Sequence, residues 1–184
     1  LLSHPLRKLF APKGIAIVGA SSDLERLTGR TLRYLQSFGY EGAVYPINPR
    51  ADTISGLPVH RDITEIDGPV DLAILSVKAK LIPDALRACA DKKIPFALIY
   101  SSGFSETGDR ALQEEVLSIA RDGGIRVLGP NCQGLANLAE GIPLTFSGAL
   151  YDAPRPPAGH VAFVSQSGAF GFSSFGVGME HGVR

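Results

Sequence analysis

The stretch that decides the fold is Gly14-Ile15-Ala16-Ile17-Val18-Gly19-Ala20-Ser21-Ser22-Asp23. Its first five residues show no polar alternation, which marks a strand covered on both faces, as strands of parallel sheets are. Gly19 follows at once and permits a tight turn, while Ser21 and Ser22 set small hydroxyls beside backbone N–H groups. A turn of that make-up after a first strand suits a phosphate near a helix N-terminus. It is not the G-x-G-x-x-G dinucleotide fingerprint, because Ser21 stands where the second glycine would be. A plain strand-to-helix connection has the same composition; the place after the first strand favours a ligand.

Outward from this turn, strands and helices alternate. Residues 28–38 put Leu32, Leu35 and Phe38 at helical spacing, and Gly39 stops the helix. Residues 43–47 read as a second strand, with Pro46 confining it to a strand end or a sheet edge. Residues 71–75 form a third. A helix over 82–90 carries Pro83 near its first turn. Residues 96–100 are the fourth strand, 110–121 a helix ended by Gly123-Gly124, and 125–128 the fifth strand. A repeat of roughly 25–30 residues is the rhythm of right-handed βαβ units, so the expected fold is α/β with an open, mostly parallel sheet.

Composition agrees. The chain has 184 residues, 45% of them hydrophobic and 20% charged, enough for a packed core and unlike a disordered tail. Eighteen basic residues balance eighteen acidic ones, which argues against a protein built to grip nucleic acid or an anionic membrane. No apolar run approaches the ~18 residues a membrane helix needs. Two cysteines are too few for a disulfide framework and fit a reducing, cytoplasmic setting. The chain opens on Leu1, without a signal pattern, and reads as a piece of something longer.

After residue 151 the texture changes. The proline-rich stretch 152–158 suits a linker that closes a first domain of residues 1–151. Residues 160–164 read as another strand, and Ser165-Gln166-Ser167-Gly168 leads into a Gly- and Phe-rich helix, the expected opening of a second domain over 159–184.

Ligands of an open parallel sheet sit beyond the carboxyl ends of its strands. After the first strand these residues are Gly19, Ala20, Ser21 and Ser22, and after the second Asn48, Pro49 and Arg50. An NAD site places a carboxylate at the latter position; Arg50 instead suits a phosphate on the ribose, as in NADP or coenzyme A. Taken alone, Arg50 also fits a solvated surface residue. Val77 and Lys78 follow the third strand, and Tyr100, Ser101 and Ser102 the fourth. The turn after the fifth holds Asn131 and Cys132. Cys89, on an apolar helical face, reads as a small core residue. His4, His60, His160 and His181 are scattered and form no metal pattern.

Five stretches in this order, Gly19-Ala20-Ser21-Ser22, Tyr45-Pro46-Ile47-Asn48-Pro49-Arg50, Ser102-Gly103-Phe104, Gly129-Pro130-Asn131-Cys132 and Val164-Ser165-Gln166-Ser167-Gly168, resemble the NDP-forming (ADP-forming) acyl-CoA synthetases, relatives of the succinyl-CoA synthetase alpha subunit. The resemblance spans residues 9–184. It implies a Rossmann-like, doubly wound CoA-binding domain, followed by the start of a flavodoxin-like ligase domain. It further implies that Gly19–Ser22 hold the CoA phosphates and that Arg50, where relatives often carry Lys, meets the phosphorylated ribose. Val77, Lys78, Tyr100, Ser101 and Ser102 would line the nucleotide and pantetheine; Lys78 departs from a common Pro. Asn131 and Cys132 would stand near the thiol. Ser165, Gln166, Ser167 and Gly168 would cradle a phosphohistidine located beyond Arg184, so His181 is not that residue.

The implied reaction joins an acid to coenzyme A at the expense of ATP, with Mg, an acyl substrate and an ATP-grasp subunit or fused domain as partners of the longer enzyme. The 184-residue chain alone would bind CoA and catalyse nothing. Two other readings stand beside this one. The first is a CoA-binding regulatory module of a multidomain protein acetyltransferase, and the second an NADP-dependent oxidoreductase domain, which Arg50 would suit and the missing second glycine weakens.

Overall fold

The apolar run at the start forms β1 (Gly14–Val18) of the computed structural model, which describes residues 4–151 and 159–183. A single helical turn, α1 (Arg7–Phe10), precedes it. There follow α2 (Leu27–Ser37), β2 (Ala43–Ile47) and the two-residue strands β3 (Thr53–Ile54) and β4 (Leu57–Pro58). Then come β5 (Leu72–Leu75), α3 (Ile82–Asp91), β6 (Phe96–Ile99), α4 (Arg110–Asp122) and β7 (Arg126–Leu128). The strands β8 (Gly134–Asn137) and β9 (Ile142–Thr145) and the helix α5 (Gly168–Glu180) complete the order.

Five strands make one parallel sheet in the order β2-β1-β5-β6-β7. The chain therefore runs outward from β1 in one direction, returns, and runs outward in the other, which defines a Rossmann-like, doubly wound α/β fold with its switch point between β1 and β5. Pro46 lies on the edge strand, where a missing N–H costs no ladder bond.

Side chains alternate across the sheet and divide the core in two. Ala16, Ala73, Leu75, Ala97 and Ile99 pack under Leu86 and Cys89 of α3 and Val116 and Ala120 of α4. Ile15, Ile17, Leu72, Ile74 and Leu98 pack on the opposite face against Leu32 and Leu35 of α2 and Ile142 and Leu144 of β9. Burying each Leu or Ile of this set contributes about 1.5–3 kcal/mol. The antiparallel hairpin β8–β9 thus fills a place on the α2 face where a second helix would otherwise lie. Its attachment to α2 is polar as well as apolar. Buried Thr31 donates to the carbonyl of Thr145 at 2.9 Å, and Tyr34 to that of Ser147 at 2.9 Å.

The expected linker, 152–158, lies outside the described residues. The strand expected over 160–164 is not formed: these residues have no ladder partner, and Val161, Phe163 and Val164 are 65%, 57% and 96% exposed. A strand is defined by its neighbour's hydrogen bonds, and among the described residues no strand lies alongside this one. The helix expected after it is present as α5, capped by Ser167, whose Oγ accepts from Phe170 N–H at 3.3 Å. Phe175 of α5 packs on Tyr34, Phe38 and Leu150.

Candidate functional site

All five parallel strands deliver their next residues to one rim. At the switch point Gly19 has φ +88°, and a Cβ there would stand 2.4 Å from the Ser76 carbonyl oxygen and 2.9 Å from Val77 Cγ1. Only glycine lets the loops after β1 and β5 come this close. The N–H groups of Gly19 and Ala20 both donate to the Ile47 carbonyl, at 3.0 and 3.2 Å. Ser21 Oγ accepts from Asp23 N–H at 3.1 Å. The backbone N–H groups of Ser21 and Ser22 have no acceptor among the described residues. Two free donors beside a left-handed glycine form a site that an anion fits.

After β2, Asn48 turns inward. Its Nδ2 donates to the Ala20 carbonyl, and its Oδ1 accepts from the N–H of Arg50. The side chain is thus committed to joining two loops. Pro49 and Arg50 are exposed, and the Arg50 guanidinium has no partner among the described residues. Arg61, which the pattern of strands did not single out, holds this loop from outside. It donates to the carbonyls of Asn48 at 3.2 Å and Ala51 at 2.6 Å and pairs with Asp52. It stands thirteen residues along the chain from the carbonyl that it grips, so no local spacing could have signalled it.

The loops after β5 and β6 are tied by Ser101, whose hydroxyl donates to the Val77 carbonyl and whose carbonyl accepts from Asn131 N–H at 2.9 Å. Lys78 and Ser102 are exposed on the rim. Tyr100 is not on it. That side chain is 7% exposed, crosses the Phe146 ring edge to face at 4.9 Å, and sets its hydroxyl 3.3 Å from Thr31 Oγ1. Burial holds its phenol well above the usual tyrosine range. Tyr100 therefore stands behind the rim, in the core below α2, because its parity along β6 points it to that face.

After β7 the Gly129–Pro130 peptide is cis, Asn131 takes φ +54° at the surface, and Cys132 is partly buried. Gly134 N–H donates to Cys132 Sγ at 3.0 Å. Burial raises the Cys132 thiol above the ordinary cysteine value, and the Gly134 N–H offsets part of that rise. Desolvation pushes Cys89, deep under α3, up to about 12. The next residue, Gln133, touches α5. A Cβ on Gly168 would stand 2.8 Å from Gln133 Cγ, so the first turn of α5 abuts the β7 turn. Ser165 and Ser167 bond each other there, Gln166 is exposed, and the N–H groups of Gly168 and Ala169 have no acceptor among the described residues. Among the described residues no group of three His, Cys, Asp or Glu could hold a metal, and no helix is long and apolar enough to cross a membrane.

Free N–H donors at the switch point, with an unpaired guanidinium one loop away, suit a phosphorylated nucleotide and set this domain among the Rossmann-like nucleotide-binding folds. The chain belongs to the CoA binding domain family, whose profile matches residues 13–137. It is 38% identical over 167 residues to the ADP-forming acetate–CoA ligase II of Archaeoglobus fulgidus, covering 90% of this chain and 24% of that protein. Against the alpha subunit of the ADP-forming acetate–CoA ligase II of Pyrococcus furiosus it is 37% identical over 164 residues, or 88% of this chain and 34% of the subunit. Its fold superimposes on the dinucleotide forming acetyl-coenzyme A synthetase 1 of Ca. Korarchaeum cryptofilum, solved with phosphate and ADP, with a TM-score of 0.88 and 37% identity. That match covers 97% of this chain and 37% of the other. The chain thus spans about a quarter to two fifths of the length of these relatives.

Proposed function

We propose that the rim binds coenzyme A and that the chain is the CoA-binding portion of an ADP-forming acyl-CoA synthetase. The observation that carries this reading is the linear order of the rim. Arg50 stands at the β2 end, the glycine-held turn at β1, Val77 and Lys78 at β5, Ser101 and Ser102 at β6, and Asn131 and Cys132 at β7. An adenosine 3′-phosphate on Arg50 and a pyrophosphate on the Ser21 and Ser22 N–H groups leave the neutral pantetheine arm to cross β5 and β6. Its thiol then ends beside Asn131 and Cys132, next to the first turn of α5.

The residues fit the ligand chemically. A guanidinium forks onto a phosphate, free amides take a diphosphate, and the β6–β7 end presents uncharged groups to an uncharged amide chain. At α5, the Gly168 and Ala169 N–H groups and the helix dipole offer a place for a phosphoryl group near the thiol. In the longer enzyme these residues would hold phosphate while an acid, ATP and Mg react through a phosphohistidine outside this chain. The alpha-subunit relatives support an ATP-grasp subunit or domain as partner. Residues 1–151 as the CoA domain, 152–158 as a linker and 159–184 as the opening of the ligase domain form part of the same proposal, as does a cytoplasmic location.

Calorimetric titration with CoA, dephospho-CoA and NADP tests the reading. CoA binding that collapses on removal of the 3′-phosphate is the expected result. Tighter binding of NADP than of CoA would overturn it in favour of an oxidoreductase domain.

A further inference from the structure

The loop after β6 contains a carboxylate that the proposed function leaves without a task. Glu106 Oε1 accepts from Gly103 N–H at 2.6 Å and from Phe104 N–H at 3.2 Å. Gly103 takes φ +108°, and a Cβ on it would lie 3.2 Å from Ala79 Cβ, so the loop is pressed against the segment that follows β5. Phe104 is fully buried in the core below α3 and α4 and fixes the far side of the loop. On the near side Ser101 is held through both its hydroxyl and its carbonyl, to Val77 and Asn131. Ser102 lies between these two anchors, exposed and without a partner of its own among the described residues. Glu106 is exposed, and the two N–H groups that it accepts from hold its carboxyl below the usual carboxylate range.

We propose that Glu106 is a positioning residue for the pantetheine arm: by claiming the Gly103 and Phe104 N–H groups it fixes the Ser101–Ser102 segment against which the arm lies. The inference rests on the coenzyme A reading and deepens it. One observation favours it over loop stability alone: the carboxylate is tied to the segment that lies between the β5 and β7 ends of the rim.

The test is calorimetry on the 184-residue chain with two ligands, CoA and adenosine 3′,5′-bisphosphate, which has the nucleotide end and no arm. Glu106→Ala should weaken CoA about fivefold to tenfold, because the Ser101–Ser102 segment loses the bonds that order it before the arm binds, and leave the bisphosphate unchanged. Glu106→Gln, whose amide oxygen can accept the same bonds, should recover most of the loss. Should Glu106→Ala melt, Glu106→Asp, one methylene too short to reach both N–H groups, must show the same ligand-selective loss. Unchanged CoA affinity in these variants, or equal losses for both ligands, overturns the inference while leaving the CoA reading intact. An unmodified chain that binds neither ligand overturns both.

Discussion

Asn48 donates from Nδ2 to the Ala20 carbonyl at 2.8 Å, so one side chain locks the loop after β2 to the loop after β1. Its Oδ1 simultaneously accepts from the N–H groups of Arg50 and Ala51, at 2.8 and 3.3 Å. The turn that carries the free Ser21 and Ser22 amides and the backbone of Arg50 are therefore held by a common joint. Asn48→Ala should cost about 1–3 kcal/mol of stability, because carbonyl and amide groups lose partners at a half-buried position. Asn48→Asp keeps the acceptor but turns an oxygen toward the Ala20 carbonyl, and should be no more stable. Denaturant unfolding of both variants checks this.

Arg50 carries the charge at the β2 end. Arg50→Ala should weaken CoA by about 1.5–3 kcal/mol, the range for a hydrogen bond to a charged group, and leave dephospho-CoA unaffected. Arg50→Lys should retain part of the affinity, since an ammonium supplies charge without the planar fork. Equal losses for both ligands would place Arg50 elsewhere than on the 3′-phosphate.

Two glycines separate backbone strain from loop contact. Gly39, at φ +69°, has nothing within 4 Å of a would-be Cβ, and Gly39→Ala should cost about 1 kcal/mol and leave CoA binding intact. Gly19→Ala meets the same kind of backbone cost plus a Cβ at 2.4 Å from the Ser76 carbonyl. The loops after β1 and β5 must then part, so this variant should be destabilised by more than about 1–3 kcal/mol and lose CoA binding. Thermal unfolding and titration of the pair measure the difference.

The Cys132 thiol is raised by burial, so it remains protonated at neutral pH. Iodoacetamide should label it more slowly than a free cysteine at pH 7.5, and the rate should climb only as pH passes the ordinary cysteine range. Saturating CoA should slow labelling further, and Cys89 should label only on unfolding. Mass spectrometry of the alkylated peptides resolves the two sites. Fast labelling of Cys132 at neutral pH would contradict this assignment.

Much of the sheet was legible because burial on both faces leaves unbroken apolar runs. Strands expected over 43–47 and 96–100 are β2 and β6 to within a residue, and the helix expected over 110–121 is α4. The β8–β9 hairpin was not legible. Its strands contain Gly134, Asn137 and Pro143, which weaken any strand pattern, and what holds it is burial of Ile142 and Leu144 against α2. The strand expected over 160–164 fails for the converse reason, since an apolar run specifies a strand only where another strand pairs with it. At the rim, the turns themselves were readable from Gly and Asn. The depth of Tyr100, the clamp made by Arg61 and the tie made by Glu106 were not, because each depends on which loops the sheet brings side by side.

The missing amide of Pro46 has an effect beyond the domain's own ladder. Its carbonyl accepts from His60 N–H at 3.0 Å, and the His60 carbonyl takes the Asn48 N–H at 3.1 Å, so a crossing segment seals the margin of β2 nearest Arg50. A foreign strand has no run of vacant donors there to zip onto, which guards the molecule against edge-to-edge aggregation beside the exposed Arg50.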